Sequence, residues 1–337
     1  MRAPLRLGLV GAGGMGQAYT QVLQDNKVLR VAGVADIRPE AARAMAEANG
    51  CAAWTSCAGL AEEGGIDAAI VCTPPSTHLE ICGLFLSRGI SVLCEKPLAI
   101  NVASARRAFA VAREYGSVLA MASKFRYVED VVKARSILTS GMLGEVCSVR
   151  NVFCAPVDMS NRWNSNPEIS GGGVLIDNGT HSVDLVRYLV GPIRKVLATE
   201  GKRLHGLAVE ESVHLVTRAD CGVLACVDLS WNTPDPGGDY LQIACSSGCL
   251  NIGWKGSAYR RTPGTDWIPF GQGYNKFNAM RRLVENFGAT LKGEEPLRIS
   301  EQDALESVSV ISVAYRSLRS GEWQTVPPLM DAMATSA

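Results

Sequence analysis

Leu5–Val10 (LRLGLV) runs directly into the glycine-rich segment Gly11–Gly16 (GAGGMG), and a helical pattern continues to Leu23. An apolar strand, a G-x-G-x-x-G turn and a helix in this order are typical of a dinucleotide-binding unit. The first glycine allows the sharp turn, the second lets the backbone approach a pyrophosphate, and the third lets the helix pack on the strand. The helix N-terminus then offers N–H groups and its positive dipole end to the phosphates.

Asp36 follows the second predicted strand, Leu29–Ala35, and stands 20 positions after Gly16. A carboxylate at this place accepts hydrogen bonds from an adenosine ribose diol and repels a 2′-phosphate, which favours NAD over NADP. Arg38 comes two residues later and leaves an alternative open, because a guanidinium could pair with that phosphate. We expect NAD as the cofactor.

The chain has 337 residues, of which 47% are hydrophobic, enough for two domains with full cores. Lys plus Arg and Asp plus Glu both number 33, so no bulk charge draws the protein to nucleic acid or an acidic membrane. No apolar run of about 18 residues could span a bilayer, and the first strand begins too early for a signal peptide. We expect a cytoplasmic protein without nucleic-acid or membrane partners.

Eleven cysteines occur, and their spacing predicts free thiols. Cys245 and Cys249 frame a turn, but no second pair and no nearby histidine completes a zinc site. We therefore expect no bound metal. The cysteines in apolar, strand-like runs should behave as small buried hydrophobes; they are Cys72, Cys94, Cys147, Cys154 and Cys226.

Strands and helices alternate as far as Ala122, which predicts parallel pairing and a doubly wound α/β sheet. Ser76 is predicted to cap a helix over Thr77–Ser87, and Asn101 to cap a helix that runs to Tyr115. In such sheets, ligands bind at the carboxyl ends of the strands. Three stretches fall on that edge: Thr73-Pro74-Pro75, Glu95-Lys96-Pro97 and Ser123-Lys124-Phe125-Arg126.

Lys96 precedes a proline at a strand end, which is unusual for a solubilising lysine. Partly desolvated in a cleft, its ammonium could hold a substrate oxygen or release a proton at moderate pH. An ordinary surface lysine is the alternative, and the Lys96–Pro97 bond is a candidate cis peptide. His78 could touch the nicotinamide end of a cofactor, or could be a first-turn helix residue without a chemical role.

The second half of the chain has a different pattern, with mostly strands in place of alternating strands and helices. A long strand over Glu145–Phe153 and five alternating strands between Arg194 and Trp254 predict an open, largely antiparallel sheet in an α+β domain. Helices are expected to return at Asn275–Lys292 and Glu301–Ser320. We place the domain boundaries at 1–123, 124–328 and a tail of 329–337. The five strands are Lys195–Gly201, Glu211–Arg218, Val223–Trp231, Tyr240–Cys245 and Cys249–Trp254.

Asp177 and His181 are four residues apart, so on a helix both project from one face. A carboxylate beside an imidazole orients it and raises its basicity, as a general base requires. A capping aspartate with a buried histidine is the alternative. The pair follows the glycine run Gly171–Gly173, which would allow close approach of a ligand.

The loop after residue 155 contains a set of side chains suited to sugars, with an aromatic face for C–H groups and polar groups for hydroxyls: Arg162, Trp163, Asn164 and Asn166. A surface loop with a packed tryptophan is the alternative. Four carboxylates could line a cleft for an amino sugar or aminocyclitol; they are Asp158, Glu168, Asp235 and Asp239.

Three motifs occur in order: Gly11-x-Gly13-x-x-Gly16, Glu95-Lys96-Pro97, and a Gly171-Gly-Gly-x-Leu-x-Asp177-x-Gly-x-His181-x-x-Asp184 segment. Together they resemble the glucose–fructose oxidoreductase / inositol dehydrogenase / rhizopine-catabolism (Gfo/Idh/MocA) family over nearly the whole chain. The resemblance implies a Rossmann domain, an open-sheet second domain, and a homodimer or homotetramer packed through that sheet. It also implies that Lys96, Asp177 and His181 meet as a catalytic triad. Family members tend to have a proline shortly after the position of Arg126-Tyr127, and this chain has none there. The identity of the substrate therefore stays open.

Residue patterns and resemblance together predict two sets of contacts. The cofactor site comprises Gly11, Gly13, Gly14, Met15, Gly16, Asp36, Ile37, Arg38, Thr73, Pro74, Pro75, His78, Glu95 and Lys96. The substrate site comprises Lys96, Lys124, Arg126, Arg162, Trp163, Asn164, Asp177, Asn178 and His181.

The expected reaction is NAD-dependent oxidation of a secondary ring hydroxyl of a sugar, amino sugar (the aminoglycoside type included) or cyclitol to a ketone. Within this class, a myo-inositol 2-dehydrogenase and a nucleotide-sugar 3-dehydrogenase are alternatives. Two other classes occur in the family that the chain resembles. One is an NAD-dependent glycoside hydrolase, and the other is a non-catalytic NAD-sensing regulator, which should lack the triad.

Overall fold

The computed structural model describes residues 3–160, 162–234, 237–261 and 266–329. The chain divides into two compact units. The first contains the described residues up to Glu129, with the segments Glu168–Gly171 and Asn275–Glu301. The second contains Asp130–Pro167, Gly172–Tyr274 and the described residues from Gln302 onward. The segment around 275–301 thus packs with the N-terminal residues, although it lies far along the chain.

The first unit is built on a parallel sheet of six strands in the order β3-β2-β1-β4-β5-β6. This order, with the reversal at β1, is that of a doubly wound Rossmann sheet, as predicted. The central strands are apolar along their whole length because helices cover both faces of such a sheet. The strands are β1 Leu5–Val10, β2 Leu29–Ala35, β3 Ala52–Trp54, β4 Ala68–Val71, β5 Ser91–Glu95 and β6 Leu119–Ala122.

Ten α-helices occur in the described residues, and none of them is long and apolar enough to cross a membrane. The predicted helices end within a few residues of those observed. The helices are α1 Gly14–Leu23, α2 Pro39–Asn49, α3 Cys57–Glu63, α4 His78–Leu86, α5 Val102–Glu114, α6 Glu129–Thr139, α7 Pro167–Ser170, α8 Val174–Val190, α9 Lys276–Leu291 and α10 Glu301–Ser320.

The caps of two of these helices test the sequence predictions directly. The Asn101 side chain accepts a hydrogen bond from the Ser104 N–H at 2.9 Å, so it caps α5 as expected. The prediction for Ser76 is wrong, because a 3-10 turn over Pro75–Thr77 precedes α4 and Thr77 occupies the cap position. The proline pair before this helix starts the tighter turn.

The second unit contains a sheet of nine strands in the order β14-β13-β12-β11-β7-β10-β9-β8-β15. All pairs are antiparallel except β7 with β10, which confirms the predicted open, mostly antiparallel sheet. The last three strands are short and were not predicted. The strands are β7 Val146–Cys154, β8 Ile193–Glu200, β9 Ser212–Ala219, β10 Leu224–Ser230, β11 Asp239–Cys245, β12 Gly248–Gly253, β13 Ser257–Arg260, β14 Ile268–Gly271 and β15 Gln324–Thr325.

One face of the nine-stranded sheet carries α8, and the opposite face we call the open face. Along β7, Phe153 contacts α8 through His181. Arg150 points the other way because successive side chains alternate across a strand. Arg150 pairs with Cys226 on β10, and Ser148 with Leu224, and all four are exposed. The open face is therefore a broad surface on which polar and apolar side chains mix.

The eleven cysteines are all free thiols, as predicted. The prediction that five of them are buried is wrong for Cys147 and Cys226, which are exposed. Their strands are apolar on one face only, and a position on the opposite face or near the strand end is open to solvent. Cys94 is buried, and Cys72 and Cys154 are half-buried.

Candidate active site

The glycine-rich loop between β1 and α1 has the geometry that a dinucleotide needs. Gly11 adopts a φ of +97°, and a Cβ there would lie 3.1 Å from the carbonyl of Cys72. A Cβ on Gly16 would lie 2.1 Å from the carbonyl oxygen of Gly11, so only glycine permits this helix–strand packing. Gly13 and Gly14 face open space at the N-terminus of α1. The loop thus leaves room for a pyrophosphate at that helix end.

Asp36, at the end of β2, lies beside this loop. Its Oδ2 accepts a hydrogen bond from the Ala12 N–H at 2.7 Å, and its Oδ1 accepts one from the Arg38 N–H at 2.9 Å. The Arg38 guanidinium adds two more, both at 3.0 Å. Burial raises the pKa of Asp36, but the hydrogen bonds from Arg38 and Ala12 outweigh burial and lower it. The carboxylate is therefore ionised at neutral pH.

The turns after β4 and β5 are joined by His78, the first residue of α4. Its Nδ1 lies 2.9 Å from the carbonyl oxygen of Pro97, and its Nε2 lies 2.8 Å from that of Thr73. The side chain is 1% exposed, and burial lowers its pKa. Both ring nitrogens thus face backbone oxygens of the two turns, and His78 holds the turns together. Its predicted cofactor contact stays a prediction.

Glu95 and Lys96 end the fifth strand. Tyr19, a fully buried residue of α1, donates its hydroxyl to Glu95 at 2.8 Å. The other Glu95 oxygen accepts the Lys96 N–H at 3.2 Å. The Lys96–Pro97 peptide is cis, as predicted. Tyr19 was not predicted as part of the site, and its local signal is limited to an aromatic residue on the inner face of the first helix.

Two further predicted substrate residues of the first unit lie in a 3-10 turn over Lys124–Tyr127. Arg126 is buried, with 3% exposure. Lys124 is half-buried, and its Nζ lies 5.7 Å from the centre of the Phe125 ring. This turn follows β6 directly, so it lies at the same sheet edge as the other strand-end segments.

In the second unit, α8 carries Asp177 and His181 on one face, as predicted. Side chains four apart on a helix have Cβ atoms about 5–6 Å from each other. His181 is 5% exposed, and its ring meets that of Phe153 edge-on at 6.5 Å. Asn178 donates to the Phe153 carbonyl oxygen at 3.3 Å. Phe153 thus packs against the imidazole, a contact that the sequence did not reveal.

Two glycines of the run before α8, Gly172 and Gly173, have a structural cause within the second unit, and the close approach of a ligand to this run stays a prediction. A Cβ on Gly172 would lie 1.8 Å from the Tyr315 hydroxyl. A Cβ on Gly173 would lie 2.1 Å from the carbonyl oxygen of Glu210. Both positions need glycine because other parts of the protein occupy the space that a side chain would take.

The predicted sugar-binding loop is exposed in the described residues. Trp163 is 43% exposed, Arg162 and Asn166 are exposed, and Asn164 is half-buried. Of the predicted cleft carboxylates, Asp158 accepts the Ser160 hydroxyl at 2.6 Å, and Asp239 accepts the Asn251 amide at 2.7 Å. Glu168 belongs to the first unit and Asp235 lies outside the described residues.

Lys96 belongs to the first unit, and Asp177 and His181 belong to the second. The meeting of these three side chains therefore stays a prediction. No group of three or more His, Cys, Asp or Glu side chains that could hold a metal occurs in the described ranges.

Comparison with known proteins identifies the family. Residues 5–123 match the family profile described as "Oxidoreductase family, NAD-binding Rossmann fold", and residues 131–251 match "GFO/IDH/MocA C-terminal domain". The chain belongs to the GFO/IDH/MocA oxidoreductase family. This family of sugar and cyclitol dehydrogenases binds NAD(P), and the open glycine-rich loop beside the ionised Asp36 fits NAD. The protein is an NAD-dependent oxidoreductase.

Two relatives and one solved structure are similar to this chain over almost their whole length. The chain is 29% identical to the rhizopine catabolism protein MocA of Rhizobium meliloti, over 93% of this chain and 95% of that protein. It is 26% identical to inositol 2-dehydrogenase of the same species (strain 1021), over 93% and 97% respectively. The crystal structure of GenD2 from gentamicin A biosynthesis in complex with NAD has a TM-score of 0.85 at 26% identity, covering 97% of each chain.

Proposed function

We propose that the protein oxidises a secondary ring hydroxyl of a sugar, amino sugar or cyclitol to a ketone. The observation that carries this proposal is the placement of Asp177 and His181 on one face of α8. A carboxylate-oriented imidazole is a general base suited to the removal of a hydroxyl proton. In this proposal, Lys96 stabilises the substrate oxygen; it lies at the end of β5, in the unit that contains the glycine-rich loop.

Each side chain has a separate task. His181 takes the hydroxyl proton on an imidazole nitrogen, and Asp177 stabilises the imidazolium that forms. The Lys96 ammonium donates a hydrogen bond to the same oxygen and stabilises its developing negative charge. Bound NAD supplies the acceptor for the hydride that leaves the ring carbon. Proton removal and oxyanion stabilisation each contribute on the order of 10²-fold.

The substrate class rests on the relatives and on the exposed loop around Trp163. An indole face packs against the C–H groups of a sugar ring, and the amides of Asn164 and Asn166 suit its hydroxyls. The similarity to MocA, inositol 2-dehydrogenase and GenD2 supports cyclitols and aminoglycosides as the first compounds to try.

The test is a screen for NADH formation by absorbance at about 340 nm with inositols, aldoses, nucleotide sugars and aminoglycosides. We expect at least one polyol to reduce NAD with the parent enzyme and none with His181→Ala. The proposal fails if no compound forms NADH while a glycoside is cleaved without net NADH. That result would favour an NAD-dependent glycoside hydrolase.

We also propose that the open face of the nine-stranded sheet packs against a second copy of the chain. The face carries Leu224, which is 46% exposed, among the exposed residues Arg150 and Cys226. Cys221, exposed in the turn before β10, is the matched control. Size-exclusion chromatography with light scattering should give a dimer or tetramer, in which Cys221 reacts with a thiol reagent faster than Cys226. A monomer with equal labelling of both would contradict this proposal.

A further inference from the structure

Helix α8 is capped by a residue from a distant loop and not by a side chain of its own first residues. Gly173 occupies the cap position and makes no side-chain hydrogen bond. Instead, the Oε1 atom of Glu210 accepts hydrogen bonds from the N–H groups of Gly173 at 2.8 Å and Leu175 at 3.1 Å. The backbone oxygen of Glu210 accepts the Val174 N–H at 2.9 Å. One residue from a distant loop thus binds the first three free N–H groups of the helix.

A second residue holds Glu210 in place. Tyr315, in the middle of α10, donates its hydroxyl to the same Oε1 atom at 2.6 Å. Glu210 is 6% exposed, and burial raises its pKa although the hydrogen bonds oppose this. Burial and the Glu210 charge raise the pKa of Tyr315, so its hydroxyl stays protonated as a donor. The Tyr315 hydroxyl lies where a side chain at residue 172 would be, and the glycine at this position makes room for it.

The arrangement fixes the starting turn of the helix that carries the proposed catalytic pair. Asp177 lies in the first turn, and its N–H bonds to the Gly173 carbonyl oxygen at 3.1 Å. His181 lies one turn further along. Because a rigid helix transmits a shift at its start to every later side chain, a displaced cap would move both Asp177 and His181.

We propose that Glu210, held by Tyr315, is a positioning residue for the Asp177–His181 pair. This inference rests on the proposed function of that pair. A positioning role and a purely stabilising role of the cap differ in what a substitution changes. Loss of stability lowers the amount of active enzyme, whereas loss of position lowers kcat per active site. A 1 Å displacement in an active site can cost about 100-fold in rate.

Glu211, the next residue, provides a matched control. Its carboxylate is also buried, but it accepts the N–H groups of Leu204, His205 and Leu207 and the Asn232 amide. These bonds hold the loop before β9, and none of them reaches α8. Glu211→Gln should affect stability without affecting kcat.

The experiment compares Glu210→Ala, Glu210→Gln, Tyr315→Phe and Glu211→Gln with the parent enzyme. For each variant, we measure kcat, KM, the Kd for NADH by fluorescence and the melting temperature. The value of kcat is expressed per NADH-binding site, so that loss of folded enzyme does not lower it. We expect kcat to fall about 30-fold or more in Glu210→Ala, and about threefold to tenfold in Tyr315→Phe. Glu210→Gln, which keeps an acceptor oxygen, should restore most of kcat, and the Kd for NADH should stay within about twofold throughout.

Two results would overturn the inference in different ways. If His181→Ala abolishes turnover but Glu210→Ala keeps kcat within about threefold of the parent, the cap is only structural and the proposed function stands. If His181→Ala keeps normal turnover, the proposed function falls, and the inference falls with it because there is no catalytic pair to position. If Glu210→Ala does not fold, Tyr315→Phe and Glu210→Gln decide, and unchanged kcat in Tyr315→Phe counts against the inference.

Discussion

The Arg38 guanidinium donates two parallel hydrogen bonds to the carboxylate of Asp36, from Nε to Oδ1 and from Nη2 to Oδ2, both 3.0 Å long. Each of these oxygens also accepts a backbone N–H, from Arg38 itself and from Ala12. If Asp36 binds the ribose diol as predicted, the ribose hydroxyls of NAD must compete with the guanidinium for this carboxylate. Arg38 is 61% exposed in its side chain, so it can swing away at little cost.

Asp36→Ala should shift the cofactor preference toward NADP. The substitution removes the acceptor for the ribose diol and frees Arg38 to pair with a 2′-phosphate. We expect kcat/KM for NAD to fall about tenfold to 100-fold, the equivalent of one charge-assisted hydrogen bond of about 1.5–3 kcal/mol. Steady-state kinetics with both cofactors measure the ratio. The double variant Asp36→Ala/Arg38→Ala should lose the gain with NADP. A ratio in Asp36→Ala equal to that of the parent, or a double variant that keeps the whole gain with NADP, would contradict this account.

Lys96→Ala should reduce turnover by on the order of 100-fold or more while NAD still binds, because the proposed role of the ammonium is to stabilise the substrate oxygen. Isothermal titration with NAD serves as the control for an intact cofactor site. Lys96→Arg should recover only part of the rate, because a planar guanidinium cannot take the place of a compact ammonium. Near-normal turnover in Lys96→Ala would remove this residue from the mechanism.

His78→Ala should destabilise the first unit. A neutral imidazole has one N–H, so the substitution leaves one of the carbonyl oxygens of Thr73 and Pro97 without its donor, at a cost of about 1–3 kcal/mol where that oxygen stays buried. The melting temperature and the Kd for NAD are the measurements, and both should worsen. Arg43→Ala is the control, because Arg43 is exposed on α2 of the same unit and, among the described residues, pairs only with the exposed Glu40, at 3.2 Å. Equal effects of the two substitutions would refute the role of His78 as a link between the turns.

Glu211 should make the stability of the second unit depend on acid pH. Burial raises its pKa, but three backbone N–H groups and Asn232 outweigh burial and lower the pKa from 4.5 to about 2. A carboxylate with a lowered pKa stabilises the fold fully above its unfolded pKa, and this stability is lost as the pH falls toward the folded value. The melting-temperature gap between the parent and Glu211→Gln should therefore shrink between about pH 5 and about pH 2. A gap that stays constant over this range would contradict the assignment.

Much of this molecule follows from local sequence patterns. The glycine spacing at Gly11–Gly16 requires particular backbone contacts, and the observed loop makes them. Asp177 and His181 likewise lie four residues apart on a regular helix, as their spacing in the sequence predicts. Contacts between distant parts of the chain could not be predicted in this way. Glu210 and Tyr315 are 105 residues apart, and nothing near either one indicates the other.

One wrong prediction and one contact that was not predicted show the same limit. The exposure of Cys226 depends on which face of the sheet carries α8, and strand patterning alone does not give the position of a helix. Gly172 and Gly173 must be glycine because of the Tyr315 hydroxyl and the Glu210 carbonyl oxygen, and no local pattern indicates either of these contacts. In both cases the decisive partner comes from a remote segment.

The most direct test of the proposed chemistry is a crystal structure of the ternary complex with NAD and a polyol found in the NADH screen. The account predicts that the Lys96 ammonium and an imidazole nitrogen of His181 both lie within about 3 Å of one substrate hydroxyl oxygen, with the ring carbon of that hydroxyl facing the nicotinamide. A complex in which either side chain points away from that oxygen would contradict it.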